Sequence, residues 1–451
     1  MHDRKRLSNQ PFFIYPDLKV WIWELRGEAG NSFRFKARLS FSMKVFERYF
    51  DRNQVMYFPD FPNDPEVIVI IPVFNDRDIF ATLDSLCHCS CCCGHMGVIV
   101  VVNHSENCDE GIKQANRDLA GEIRQYASLP CPEAKLCIKV IEAYDLPARL
   151  AGVGLARKIA MDAAALFLYR RGKTEQPILS LDADTLVEKN YTDAVLTFFR
   201  QNPVAGVSIA YAHRLEDCEG KMWEAMVKYE LYLRYYQEAL AYIGHPHAFH
   251  CIGSAFAVRA SDYVAQGGMN KRQAGEDFYF LQKLISTGRY ACLNATRVYP
   301  SARFSTRTPF GTGQAVRQIV EDGGYFPVYH WGAFRDLKYF FQGIANLYKV
   351  ETPCVQNYFE VQAPGIQQFL MEISGIELIG EANANSASSM QFLRRFFDHF
   401  NAFRVLKYLN YVHDSFYQKI EITEAVKALF EELRYPYTGL LDQELDFLRG
   451  R

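Results

Sequence analysis

The chain has 451 residues, 49% of them hydrophobic and 23% charged, with Lys+Arg at 50, Asp+Glu at 52 and a formal net charge of -2. This length exceeds one average domain and calls for a large α/β core with additions. The charge balance excludes a nucleic-acid binder held by a strong overall positive field, and the composition gives no reason to expect disorder.

The segment Met1 to Gln10 carries basic residues with no apolar stretch behind them, so it is not read as a secretory signal. Apolar runs such as Val67 to Val73 fall far short of the roughly 20 residues that span a bilayer, so no transmembrane segment is expected. The 12 cysteines, without an export signal, point to reduced thiols and a cytoplasmic location. Attachment at the inner membrane face stays open.

Residues 1–65 form an N-terminal extension with Trp21 and Trp23 and no legible chemistry. From Glu66 the pattern changes. Val67 to Val73 is a continuous β-branched run, as expected of a parallel strand buried on both faces. Asp76 to Leu86 reads as a helix, and Val98 to Val102 and Cys137 to Ile141 as strands. Gly154 to Arg170 is an Ala-rich helix and Ile178 to Leu181 a short strand. This rhythm predicts an α/β fold with an open, mainly parallel sheet flanked by helices.

Ligands of such sheets bind at the carboxyl ends of the strands. The loops Pro72 to Asn75, Asn103 to Asn107 and Asp182 to Thr185 all lie there. A domain over 66–333 is expected, followed by a helical region over 334–451. In the latter, Met390, Leu393, Phe396, Phe400 and Phe403 recur at helical spacing and read as core.

Asp182 and Asp184 stand two apart at a strand end and are expected on one face. Two carboxylates so close repel unless a cation sits near them, and a divalent ion bridging a leaving diphosphate supplies one. A solvated acidic turn is the plainer alternative. Glu276 and Asp277 fall in the first turn of a helix that Leu281, Leu284 and Ile285 make periodic. The helix dipole favours anions there, and a carboxylate in such a place also suits general-base work on a hydroxyl.

The ordered set IIPVFND, VVVNHSEN, GLARKIA, SLDADT and GGM followed by GEDFYFLQKLISTGRY resembles glycosyltransferase family 2. The resemblance runs from about Glu66 to Arg307, over half the chain. It implies a GT-A fold and transfer of a sugar from a nucleotide diphosphate to an acceptor hydroxyl, with Mn²⁺ or Mg²⁺ and inverted configuration. The acceptor is left as a glycan, a lipid-linked species or a small molecule. By position, Pro72, Val73, Phe74, Asn75 and Asn103 would hold the nucleotide. Asp184 would bind the metal, with Asp182 toward the ribose or a metal-bound water. Asp277 would be the base beside Glu276, and Arg157 would face the nucleotide. Asn103 stands where the family usually has Asp. No Gln/Arg-x-x-Arg-Trp element is present, so a processive synthase is not expected.

Arg303 and Arg307 lie in a Pro- and Gly-bounded segment that could clamp a diphosphate or an anionic acceptor. A metal role for His245, His247 and His250 is disfavoured by short spacing around Pro246, and His330 is a minor further candidate. The cluster Cys87 to Cys93 lacks the second ligand pair of a structural zinc site and is read as thiols in a loop. Two rivals remain. A sugar nucleotidyltransferase would need a Gly-rich phosphate loop where Asn75-Asp76-Arg77-Asp78 stands. A non-catalytic scaffold would not need intact Asp182, Asp184 and Asp277.

Overall fold

The computed structural model describes residues 32–451 apart from 56, 91–93, 130–134, 274 and 304–310. By compactness the chain divides into Met1–Val45 and Phe46–Arg451. Of the first unit, the opening part of helix α1 (Ser32–Asn53) is described. The second unit holds the sheet, the helical region and the candidate site.

Strands β1 (Val67–Val73) and β2 (His95–Ser105) flank helix α2 (Ile79–Cys87). Every residue of β1 is buried. That is why it reads as an unbroken apolar run, each Val or Ile contributing roughly 1.5–3 kcal/mol on burial. Then come α3 (Glu110–Ala127), β3 (Lys135–Leu146), α4 (Val153–Arg170), β4 (Pro177–Ser180) and β5 (Thr185–Val187). Asp109 starts α3, its carboxylate accepting the N–H of Gly111 at 2.8 Å. The next elements are α5 (Tyr191–Gln201), β6 (Gly206–Tyr211), α6 (Gly220–Tyr242), β7 (Phe256–Arg259) and α7 (Ala260–Ala265). The sheet half closes with α8 (Glu276–Ile285), β8 (Tyr290–Pro300) and α9 (Thr312–Glu321).

The eight strands form one sheet in the order β3-β2-β1-β4-β7-β6-β8-β5. β1 pairs in parallel with β2 and β4, β2 with β3, and β6 with β8. Antiparallel β7 separates β4 from β6. The expected mainly parallel α/β sheet is therefore present, with β7 and the edge strand β5 turned against it.

Beyond the sheet, β9 (Pro327–Val328) leads into α10 (Trp331–Gln342), α11 (Thr352–Glu360), α12 (Pro364–Glu372) and α13 (Gly375–Ala384). They are followed by α14 (Ser389–His399), α15 (Ala402–Ser415), β10 (Ile420–Glu421), α16 (Ile422–Leu433) and α17 (Leu441–Arg449). The spacing through Phe403 crosses a break. Helix α14 ends at His399, and Asn401 caps α15 by accepting the Arg404 N–H at 3.2 Å. Phe396 and Phe400 are core, Met390 is exposed, and Phe403 leaves the stripe to stack on Tyr279 of α8 at 4.4 Å. α6 belongs to both halves: its Val227, Leu231, Tyr235 and Ala239 pack into the helical core beside Trp331 and Phe334. Among the described residues, no helix is long and apolar enough to cross a membrane.

Candidate active site

The Asp182–Asp184 motif occupies the turn from β4 to β5, closed by the Thr185 N–H donating to the Asp182 carbonyl at 3.2 Å. Leu181, Ala183 and Thr185 are buried while Asp182 and Asp184 are half-exposed, so the two carboxylates do reach the same open side. Their cations differ. Asp182 accepts from Arg157 at 2.5 Å, and Asp184 accepts from Arg303 at 3.1 Å. The Arg303 guanidinium also donates to Asp76 at 2.5 Å and to Asp78. Asp76 and Asp78 thereby join the site, although the sequence reading gave them no role. Their signal was the same as that of the assigned pair: two Asp residues two apart, just past a buried strand.

Arg157, on α4, is 2% exposed. Its Nε donates to Ser180 Oγ at 3.1 Å, and its terminal nitrogens donate to Asp182 and Glu276. The guanidinium is enclosed and holds Asp182 and Glu276, two of the carboxylates expected at the site. Gly253 makes room for it, and Gly154 for its partner Glu276. A Cβ on Gly253 would lie 2.7 Å from Arg157 Nη2, and one on Gly154 would lie 2.1 Å from the Arg272 carbonyl and 2.9 Å from Glu276 Cγ. Burial pulls the guanidinium pKa down, but the charges of Asp182 and Glu276 outweigh it and hold Arg157 protonated.

Glu276 and Asp277 open α8, as the periodicity implied. Glu276 is buried, and its pKa is pushed up to about 7 by burial, against the pull of Arg157. Asp277 is half-buried and accepts the Phe278 N–H at 2.7 Å. Burial also raises its pKa, again opposed by Arg157. A buried carboxyl with a raised pKa is a stronger proton acceptor than a solvated one.

The turn after β1 and the end of β2 are tied together by a residue that the sequence reading missed. Asn116 of α3 is fully buried; its Oδ1 accepts the Asn75 N–H at 2.9 Å and its Nδ2 donates to the Asn103 carbonyl at 3.4 Å. Asn75 needs such a tether because its φ is 45°, a left-handed conformation in which Asn is tolerated. An Asn on the buried face of a helix is the faint sequence signal that was available. Pro72 and Val73 are buried within β1, so their side chains are core and only their backbone borders the loop. Phe74 is half-buried, Asn75 exposed and Asn103 buried.

Arg307 lies outside the described residues, as do Cys91, Cys92 and Cys93. Cys89 is buried and donates to the Ser85 and Glu188 carbonyls. The three histidines serve separate places: His245 bonds the Phe400 carbonyl at 2.9 Å, His247 bonds Gln282 at 2.9 Å, and His250 sits edge-on to Tyr211. His330 caps α10 by accepting the Gly332 N–H at 2.9 Å. Among the described residues, no three His, Cys, Asp or Glu side chains gather into a metal cage.

No curated protein matches the chain. Solved structures similar to it include TarS residues 1–349 of S. aureus in complex with UDP-GlcNAc, at 12% identity and a TM-score of 0.37, over 75% of this chain and 91% of that one. The mannosyltransferase PcManGT of Pyrobaculum calidifontis, in complex with GDP-Man and Mn²⁺, is 16% identical with a TM-score of 0.33, over 89% and 90%. GalNAc-T7 with UDP, GalNAc and Mn²⁺ is 13% identical with a TM-score of 0.34, over 86% and 67%. At these values the overall likeness is slight. Residues 177–344, which hold Asp182, Asp184, Glu276, Asp277 and Arg303, match the model of glycosyl transferase family group 2. That match covers less than half of the chain, and it makes the part of the sheet from β4 onward similar to that family.

Proposed function

We propose that the chain transfers a sugar from a nucleotide-diphosphate donor to an acceptor hydroxyl, with inversion and one residue at a time. The single observation that carries this reading is the Arg157 hub. One buried guanidinium holds Asp182, on the donor side, and Glu276, next to Asp277, in a fixed relation. The hydroxyl proton passes to the Asp277 carboxylate as the oxygen attacks the anomeric carbon. The bond from that carbon to the diphosphate breaks on the opposite side, and the nucleoside diphosphate leaves. Catalytic work belongs to 66–333, and 1–65 and 334–451 are flanking additions. A cytoplasmic setting fits the buried thiols.

Mg²⁺ or Mn²⁺ fits the donor set at Asp184. Such ions take one or two protein carboxylates and complete their shell with water and phosphate oxygens, so a cage of three side chains is not required. When bound, the ion would neutralise charge on the departing diphosphate. Arg303 then has two places open to it, the aspartates it now bridges or the diphosphate itself.

The test is calorimetry with a panel of UDP-, GDP- and dTDP-sugars, with and without Mn²⁺. At least one donor should bind, and Asp184→Ala should abolish the Mn²⁺-dependent part of its affinity. No binding by any donor would sink the reading. Mn²⁺-dependent affinity unchanged in the variant would remove the metal assignment, and a product of retained configuration would remove the inversion.

A further inference from the structure

Arg303 and the aspartates it reaches are each fixed in place. Two residues before Arg303, just past the end of β8, the Ser301 N–H donates to the Asp184 carbonyl at 3.1 Å. β1 and β4 are parallel neighbours, so the turn of Asp76 and Asp78 stands beside the turn of Asp182 and Asp184. Buried Thr82 of α2 ties the two turns: its N–H donates to the Asp78 carbonyl at 3.1 Å and its hydroxyl to the Ala183 carbonyl at 2.9 Å. Asp76 also accepts the Asp78 N–H at 3.2 Å. Three carboxylates from two turns are thus gathered around one guanidinium by contacts that do not involve it. Its Nη2 is shared between Asp76 at 2.5 Å and Asp184 at 3.1 Å, and its Nη1 donates to Asp78. Its Nε is enclosed and makes no hydrogen bond among the described residues.

Asp184 is also the carboxylate assigned to the divalent ion. A guanidinium already bonded to it and an ion seeking it draw on the same negative charge and repel each other. A diphosphate removes the conflict. It adds negative charge between the two cations and offers phosphate oxygens to the guanidinium, among them a partner for Nε. We propose that Arg303 is an internal counter-ion that makes ion binding at Asp184 conditional on the diphosphate. Asp76 and Asp78 are its positioning residues, since they hold the guanidinium over Asp184. An ion arriving alone meets a carboxylate in use; an ion carried by a nucleoside diphosphate meets one that Arg303 has reason to leave. The chain therefore holds free metal weakly and takes up ion and donor together. The inference rests on the metal assignment at Asp184 and adds the order of loading.

Calorimetry with the full chain and Mn²⁺ alone tests it. Arg303→Gln keeps the length of the side chain and loses the charge. It should bind free Mn²⁺ about 10-fold or more tightly than the wild type, because a charged hydrogen bond no longer competes. Arg303→Lys leaves a point charge that cannot bridge three carboxylates and should gain less, about 3-fold. Arg77 lies between Asp76 and Asp78 in sequence and pairs with Glu122 at 3.1 Å, so Arg77→Gln removes a positive charge from the same turn without touching Asp184. It should change the affinity by less than about 2-fold. In thermal melts, Mn²⁺ should raise the Tm of Arg303→Gln by more than that of the wild type. The second probe is the Mn²⁺ complex of UDP, GDP or dTDP, and whichever the wild type binds should bind Arg303→Gln no more tightly. Equal free-Mn²⁺ affinity in wild type and Arg303→Gln, an equal gain in Arg77→Gln, or an equal gain for the nucleotide complex would overturn the inference and leave the metal assignment standing. Asp184→Asn should abolish Mn²⁺ binding in the Arg303→Gln background; binding retained there would remove the metal assignment and the inference together. If none of the nucleotide complexes binds, the glycosyl-transfer reading fails with it.

Discussion

The sheet half and the helical half bury polar groups for different ends. Around the sheet, Arg157, Lys158, Asp162, Glu230 and Glu276 are all buried charges, and Arg157 shares its charge among several carboxylates. Beyond residue 334, the buried polar side chains among the described residues reduce to Ser386 and Glu444. Both finish backbone there: Ser386 donates to the Ala382 carbonyl at 2.7 Å, and Glu444 accepts the Thr438 and Gly439 N–H groups. The helical half is otherwise sealed by aromatic rings such as Phe340, Phe396 and Phe400. Replacing a buried ion pair by apolar side chains is often neutral or stabilising, so charge of this kind is poorly explained by stability alone. Arg157 and Glu276 place part of that charge beside Asp182, just past the carboxyl end of β4, where the proposed chemistry would be done.

The contrast is broken most directly at Asp277. Asp277→Asn keeps shape and hydrogen bonding but cannot accept a proton, so turnover should fall by about 10²–10⁴-fold while donor affinity holds. The pH profile gives a second reading. Because burial raises the pKa of both Glu276 and Asp277, activity should rise with pH along an acid limb above the ordinary carboxylate range. An Asp277→Asn enzyme with near-normal turnover would end the base assignment.

Stability substitutions should separate the halves more finely. Phe396→Ala in the helical core should cost about 3–5 kcal/mol by denaturant titration and leave kcat/KM per folded molecule unchanged. Arg157→Met should cost a similar amount, about 3–5 kcal/mol, because it strands buried Glu276. It should also move the acid limb. Arg157 lowers both carboxyl pKa values, so its loss should shift the limb to higher pH, a change that Phe396→Ala has no means to produce. Equal pH profiles in the two variants would refute a functional difference between the halves.

The smallest expected effect lies at Asn116. Its loss should remove about 1 kcal/mol of hydrogen bonding from the Asn75 and Asn103 loops. Donor KM should rise by about 5-fold with kcat held, as befits a group that shapes binding alone. A fall in kcat with unchanged KM would contradict that role.

Much of this was legible in the residues. The buried run Val67 to Val73, the Asp182–Asp184 pair and the Glu276–Asp277 helix start are local signals, and each depends on neighbours within a few positions. What escaped is non-local. Arg157 turns inward because Gly253 leaves it space from a distant part of the chain, and no spacing rule reports that. Asp76 and Asp78 gained a role only when Arg303, more than 200 residues later, was folded across them. The stripe through Phe403 misled because a cap at Asn401 restarts the helix without disturbing the apolar period.

One further feature bears on how the molecule comes apart. Glu230 of α6 is fully buried and accepts from His213 just past β6, from Arg234 on its own helix and from Arg449 at the end of α17. Burial alone would raise its pKa, yet Arg449 and His213 hold it well below the usual carboxylate range. One anion thus rivets the last helix to the end of a sheet strand, and withdrawing any one member leaves the others buried and unbalanced. Loss of one member should therefore weaken the last helix and the strand end together, and the two are expected to unfold in one transition.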